Sequence, residues 1–388
     1  MKERNIRLFY IHELLFQFSD SMLEIMLPVF IYKITGQISA AFLFLFLWNV
    51  VHQIAFIPVF NLAMQLKKPK FFMILGTLLY VTSLLLLGSI TEDSLYLFIP
   101  CIFTYGLQVS CYWMIKHWFF AVNTDLEKMG KQMGNINIIR IVITFLAPII
   151  AGFVSHFISF NVTFLLGAIA GTASLIPIVL FHAPPHHEKI NFRKIINTMK
   201  RPEIKAIAPA FFSEGAAFVT LFTTWMITFT IFVGNALNLG LVIGLSTLLT
   251  AIAIRITGHL FDMRKRAMLI TRLTKIRFLT LFLYPTVFFN ANLIYVWLVE
   301  TVNRLIFEMH YTTSCSYLYA YSHKINPAEI PLIREFYLNF GRLIFSLILA
   351  VIFYFLPGEY LWIVILLAPF TILGMSAYEK SDHLLHQK

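Results

Sequence analysis

The sequence predicts an all-α integral membrane protein of about twelve transmembrane helices in two pseudo-symmetric six-helix bundles. Three observations point there. The 388 residues are 59% hydrophobic and only 13% charged, with mean hydropathy +0.78, whereas soluble domains run roughly 45 to 50% and about 25%. The apolar stretches divide into pieces of helical length. Lys and Arg concentrate in every second connection.

Taken in order, residues 8–32 form the first span. Its start is basic, with Lys2, Arg4 and Arg7, but His12, Glu13, Asp20 and Glu24 interrupt any signal-peptide core, so an uncleaved helix is expected. Ala41 to Gln65 and Phe71 to Thr91 are uncharged and long enough to cross once each, giving spans 39–64 and 71–90, and 95–121 follows. Ile141 to Phe181 is about double length. The turn Ser155-His156-Phe157-Ile158-Ser159-Phe160-Asn161 divides it into spans 135–156 and 161–181. Gly215 to Ile254 is likewise divided at Val233-Gly234-Asn235-Ala236-Leu237-Asn238, giving 206–232 and 238–258. The remaining spans are 272–289, 293–321, 332–355 and 360–378; Phe278 to Val299 and Tyr360 to Tyr378 are uncharged windows, each read as able to cross once.

The polar connection His182 to Lys205 separates six helices from six, giving expected bundles at 1–182 and 206–388 around a linker at 183–205. His182, His186 and His187 within it are read as solvated, since neither Cys spacing nor a paired His motif supports a metal site. Cys101, Cys111 and Cys315 fall in predicted helices without metal spacing and are read as packing residues.

Counting connections, one side holds Lys2, Arg4, Arg7, Lys67, Lys68, Lys70, Lys128, Lys131, Lys189 through Lys205, Arg264 through Arg277, Lys324, Arg334, Lys380 and Lys388. The other holds little beyond Lys33. Positive connections stay in the cytoplasm, so both termini are expected inside, in the plasma membrane of a bacterium. The net charge of +11 then reports orientation and contact with anionic lipid headgroups, and no nucleic-acid partner is needed to explain it.

The halves echo one another. Asn137-Ile138-Ile139-Arg140 in the fifth span is repeated as Asn339-Phe340-Gly341-Arg342 in the eleventh, and Ser110-Cys111 in the fourth as Ser314-Cys315 in the tenth. Corresponding positions in two six-helix halves are what parallel transporter repeats predict. At the end of the eighth span stands Gly258-His259-Leu260-Phe261-Asp262-Met263-Arg264-Lys265-Arg266. Here the chain resembles the major facilitator superfamily, whose loop signature runs Gly, three residues, Asp, three residues, Arg and a second basic residue. Gly258, Asp262 and Arg266 match, while Ala267 stands at the last position and Lys265 replaces the usual second Gly. The first-half loop is eroded, with Asn61, Gln65 and Pro69 in place of Gly, Asp and Arg. The resemblance implies that Asp262 and Arg266 help latch the bundles together on the cytoplasmic side. Independently, a carboxylate near a helix N-terminus gains from the dipole and the free amides. Ala147-Pro148-Ile149-Ile150-Ala151-Gly152 is similar to the family's fifth-helix motif, although an ordinary Pro-bent membrane helix explains it equally well.

Ionisable groups within a span are costly and usually face a partner or a wet cavity. In the first span Glu13, Asp20 and Glu24 share one helical face, with Asp20 and Glu24 near the middle and Glu13 expected at the interface. In the tenth, Glu300, Arg304 and Glu308 follow at i,i+4 steps. Arg304 can pair with either acid, as a static ion pair or as one that exchanges partners or a proton during transport. Lys116 with His117, Arg140, Glu214 and Arg342 complete the set. Lys116 can also snorkel to the interface. Arg140 and Arg342 either anchor an anionic solute or pair with Asp20, Glu24 or Glu308 to hold each bundle together. The resemblance implies that the first, fourth, seventh and tenth helices line a central cavity, which places Asp20, Glu24, Lys116, Glu214, Arg304 and Glu308 on them.

The expected function is secondary active transport of a small solute by alternating access, coupled to protons through one or more of Asp20, Glu24 and Glu308. The expected partners are the solute, protons and membrane lipid, with no nucleic acid; the sequence leaves the oligomeric state open, with a monomer favoured. No Walker-type loop is present, and no catalytic residues, metal or cofactor are expected. The alternative is a receptor or scaffold that keeps the fold without transporting, favoured by the eroded first loop. An integral-membrane enzyme finds no metal-spaced His cluster or paired-carboxylate loop to support it.

Overall fold

The structure is a computed structural model describing residues 2–123, 129–181, 192–261, 266–326 and 329–386; among them all regular structure is helical. The helices are α1 (Lys2–Thr35), α2 (Ile38–Gln65), α3 (Pro69–Ser89), α4 (Phe98–Asn123), α5 (Met129–Phe157), α6 (Phe160–Leu180), α7 (Phe192–Met199), α8 (Pro202–Ala217), α9 (Thr224–Phe232), α10 (Ala236–Phe261), α11 (Arg266–Leu281), α12 (Leu293–Ile325), α13 (Glu329–Phe355), α14 (Leu361–Leu367) and α15 (Ala377–His386).

Local chemistry sets the boundaries. Gly36 takes φ +67 just past α1, a left-handed conformation that ends helices and favours glycine. Pro69 and Pro202 sit in the first turns of α3 and α8, where a missing N–H costs nothing. Ser159 caps α6 by accepting from the amide of Val162 at 3.1 Å. At its other end, Lys70 donates to the carbonyls of Val179 and Phe181, both at 2.6 Å, satisfying acceptors that the helix leaves open.

Eight described helical stretches are long and apolar enough to cross a membrane, and Ile141–Phe157 and Ala236–Thr250 are shorter apolar stretches. Of two further expected spans, 293–321 falls within α12 and 272–289 only overlaps α11, which ends at Leu281; internal charges lower the apolar character of both helices. Three sequence expectations need correction. The uncharged window Phe278 to Val299 is not one span: α11 ends at Leu281, Tyr284–Phe288 is a 3-10 turn, and α12 begins at Leu293. Pro285 starts that turn, and Asn292 caps α12 by accepting from the amide of Ile294 at 3.0 Å. The seventh span carries a π segment at Phe218–Thr223 between α8 and α9, where the Thr224 hydroxyl donates to the carbonyl of Val219 five residues back at 3.1 Å; π segments often mark functional positions. Residues 358–386 alternate α and 3-10 turns, because Pro369 withdraws an amide from the ladder.

Helices α1 to α6 pack chiefly on one another, as do α8 to α15, and two extensive contacts join these groups: α5 with α10, and α2 with α13. The α5–α10 contact is made backbone to backbone. A Cβ on Gly152 would lie 2.5 Å from the carbonyl oxygen of Ala236, and one on Gly240 would strike that of Pro148. The Ala147–Gly152 segment therefore serves as a close-packing surface. The α2–α13 contact is polar in the middle and aromatic at one end, where Phe42 stacks on Phe353 with centroids 5.9 Å apart. At that same end Gly358 comes up against Ile38 and Ile231, where an added Cβ would meet their side chains.

Candidate functional site

The functional residues build up from one face of α1. Glu13, Gln17, Asp20 and Glu24 recur at helical spacing. Asp20 is half-buried and Glu24 exposed, between the buried Met22, Leu23, Ile25 and Met26. Asp20 lies within electrostatic reach of Glu24, Lys116 and Glu13. Tyr105 of α4 is within reach of Asp20, Glu24 and Arg342. Two acids near the start of the chain and an arginine near its end thus converge on one tyrosine.

Lys116 does not reach away to an interface. Its ammonium lies 2.6 Å from Glu13 Oε2 and 4.2 Å from the Trp113 ring centroid. Tyr112 donates to the other oxygen of Glu13 at 2.9 Å, and His12 joins Tyr112 at 2.7 Å and the carbonyl of Ser174 at 2.9 Å. The expectation that Glu13 is merely interfacial is corrected: it is 4% exposed. A buried carboxylate requires charge and hydrogen-bond partners, and α4 supplies both.

In the second group of helices, Glu214 of α8 is held by Arg334 of α13, whose Nε lies 3.2 Å from Oε2 while Nη2 engages Oε1. This two-point geometry is specific to guanidinium. Arg304 pairs with Glu300 at 2.6 Å, and Tyr284 donates to the second oxygen of Glu300 at 2.8 Å. Glu308 is buried, and Arg277 of α11 is within electrostatic reach of it, of Glu214 and of Tyr284. Arg277 is 7% exposed and lies 4.8 Å over the Phe307 ring. Arg277 is therefore a buried helix residue and Arg334 a partly buried one, correcting their assignment to connections; a basic run that continues into a helix looks the same in sequence as one that stays in a loop. Arg342 lies 4.7 Å over the Phe218 ring, beside the π segment, and its Nε has no hydrogen-bond partner among the described residues.

Arg140 falls in α5, Gly258 in α10 and Arg266 at the start of α11; their side-chain positions, like Asp262 and the linker histidines, lie outside the described residues. Among the described residues no group of three or more His, Cys, Asp or Glu is placed to hold a metal ion. Counting charges alone overlooks the polar middle of the α2–α13 contact. There His52 Nε2 meets Glu335 Oε1 at 3.1 Å, and the Asn339 amide donates to the carbonyl of Asn49 at 3.0 Å and to Gln53 Oε1 at 2.8 Å. The available signal was Asn49, His52 and Gln53 clustered in an otherwise apolar window.

A family model for the Major Facilitator Superfamily matches residues 10–329. The chain belongs to the major facilitator superfamily. Two solved structures of major-facilitator-type fold are similar to it. One, a POT family transporter in complex with a thioalcohol-conjugated peptide, has TM-score 0.74 and 12% identity, over 96% of this chain and 94% of that one. The other, a POT family transporter in complex with 5-aminolevulinic acid, has TM-score 0.71 and 13% identity over the same shares. No curated protein sequence matches the chain. As a member of the superfamily, this integral membrane protein is a transporter in fold and family.

Proposed function

We propose that the chain is a secondary active transporter that moves a small solute by alternating access, with residues 1–182 and 206–388 as the two moving halves and both termini in the cytoplasm. The observation that carries this reading is that Asp20, Glu24 and Arg342 all lie within electrostatic reach of Tyr105. It sets negative groups from one half against a cation from the other, where a polar solute can bridge them. Lys116, Glu214 and Arg304 are held in ion pairs and frame the site rather than fill it. Asp20, Glu24 and Glu308 are the candidates for carrying the coupling proton.

The two similar structures hold a peptide conjugate and an amino acid, so peptides and amino acids are the first compounds to screen by thermal shift, since a ligand of the folded state raises its apparent stability. Proton-driven flux of a hit into liposomes then tests the coupling. Asp20→Asn, Glu24→Gln or Glu308→Gln should remove the pH dependence; if it persists unchanged in all three, these acids do not couple.

A further inference from the structure

We propose that His52, with Ser110 and Glu335, forms a proton-binding site that joins the two halves of the molecule. The three side chains come from α2, α4 and α13. His52 is 0% exposed, Ser110 0% and Glu335 7%. His52 Nε2 faces Glu335 Oε1 at 3.1 Å, and Nδ1 faces Ser110 Oγ at 2.8 Å.

Proton bookkeeping gives the site two states. An ionised carboxylate only accepts, so Nε2 carries a hydrogen toward Glu335. The Ser110 hydroxyl has one hydrogen and three acceptors within reach, His52 Nδ1 at 2.8 Å, the carbonyl of Gly106 at 3.1 Å and the carbonyl of His52 at 3.4 Å. When it donates to Nδ1 the ring is neutral. When it turns to Gly106 its lone pair accepts from Nδ1–H, and the ring is an imidazolium paired with Glu335. The two states differ by one proton, taken from or returned to water, and by one rotation of the hydroxyl.

Charged groups surround the pair. Arg334, committed to Glu214, and Arg342 are within electrostatic reach of Glu335. From α4, His117 is within reach of Glu335, Arg334, Lys116 and Glu13. Asp20 and Glu24 of α1 reach Tyr105, which packs on Trp48 one turn from His52, with centroids 5.1 Å apart. Beside His52 the seam is incompletely satisfied: the side-chain oxygens of Asn49 and Asn339 are buried without a hydrogen-bond partner among the described residues. The His52–Glu335 contact is the one in this seam that changes with a proton, beside the hydrogen bonds of Asn339 and the stack of Phe42 on Phe353. Protonation turns the Nε2–Glu335 hydrogen bond into an ion pair that holds α2 to α13, and deprotonation weakens that contact. In calling this proton the one that gates the transport cycle, the inference rests on the transporter reading; the site itself does not.

The test uses the full chain in lipid nanodiscs, with Cys101, Cys111 and Cys315 replaced by serine and spin labels at Ile54→Cys and Phe340→Cys. Distances across the seam are measured between about pH 5 and pH 9, the range in which histidine changes charge. They should lengthen as pH rises, and His52→Gln and Glu335→Gln should each abolish the response. A parent protein whose distances ignore pH, or a response intact in both variants, overturns the proposal. Independently, 15N ring spectra of labelled histidine, with the His52 signal identified by its loss in His52→Gln, should show an imidazolium giving way to a neutral ring; a single state throughout overturns it as well. Solute flux in liposomes separates the two readings. A pH-responsive seam without flux upholds the site and removes the transporter reading, while flux with a pH-silent seam does the reverse.

Discussion

The two contacts between the halves are built from opposite chemistry. Along α5–α10, glycines at 152 and 240 bring backbone against backbone, and proximity alone makes the contact. Along α2–α13, His52, Glu335, Asn339, Asn49 and Gln53 meet through directional polar groups. Close apolar packing has no protonation state and changes little with pH or solute. A polar contact changes with the proton it holds and with the field around it. A molecule with one contact of each kind has a seam suited to serve as a pivot and another suited to open, which is the asymmetry a rocking transporter needs.

Four substitutions probe that contrast, in falling order of expected effect. Lys116→Met lies outside both seams and strands Glu13 in a buried site; loss of one partner from such a pair costs about 3 to 5 kcal/mol. Thermal unfolding should register the loss while the pH response of the α2–α13 distance survives. Gly240→Leu attacks the packed seam, where even a Cβ strikes Pro148. Overpacking of this kind costs about 3 kcal/mol, and labels across α5–α10 should move apart at every pH. Asn339→Leu removes two hydrogen bonds from the polar seam but no charge. Its cost should be about 1 kcal/mol, with the pH response weakened less than in Glu335→Gln. Phe353→Leu loses the ring contact with Phe42, worth about 1 kcal/mol or less, and should lower the melting temperature slightly without altering pH behaviour. A Gly240→Leu protein with normal stability and spacing would remove the contrast altogether.

Much of this architecture was legible in the chain itself. Uncharged windows such as Ala41 to Gln65 and Phe71 to Thr91 match α2 and α3 closely, because a helix facing lipid has to be apolar along its whole length. Legibility failed where charge is buried against protein. Arg277 and Arg334 look like loop cations, since Glu214, which holds Arg334 and lies within electrostatic reach of Arg277, is far away in sequence. Glu13 looks interfacial because nothing near it in the chain foretells Lys116, about a hundred positions on. His52 was invisible to a search for formal charge, although a histidine between Asn49 and Gln53 in an apolar window is a polar cluster that has to find partners. Asp20, Glu24 and Arg342 stood out for the converse reason: each interrupts an apolar stretch, and the fold brings all three toward Tyr105.

The most direct test of alternating access follows one cysteine from both sides of the membrane. Gln17→Cys, on the face of α1 that carries Asp20 and Glu24, would be placed in the cysteine-free background in oriented vesicles. Its labelling by a membrane-impermeant thiol reagent would be measured from each side, with and without a solute found by thermal shift. A transporter predicts that the position is reached from both sides and that solute shifts the balance between them. Labelling from one side only, unchanged by solute, would contradict alternating access and leave a static receptor or scaffold.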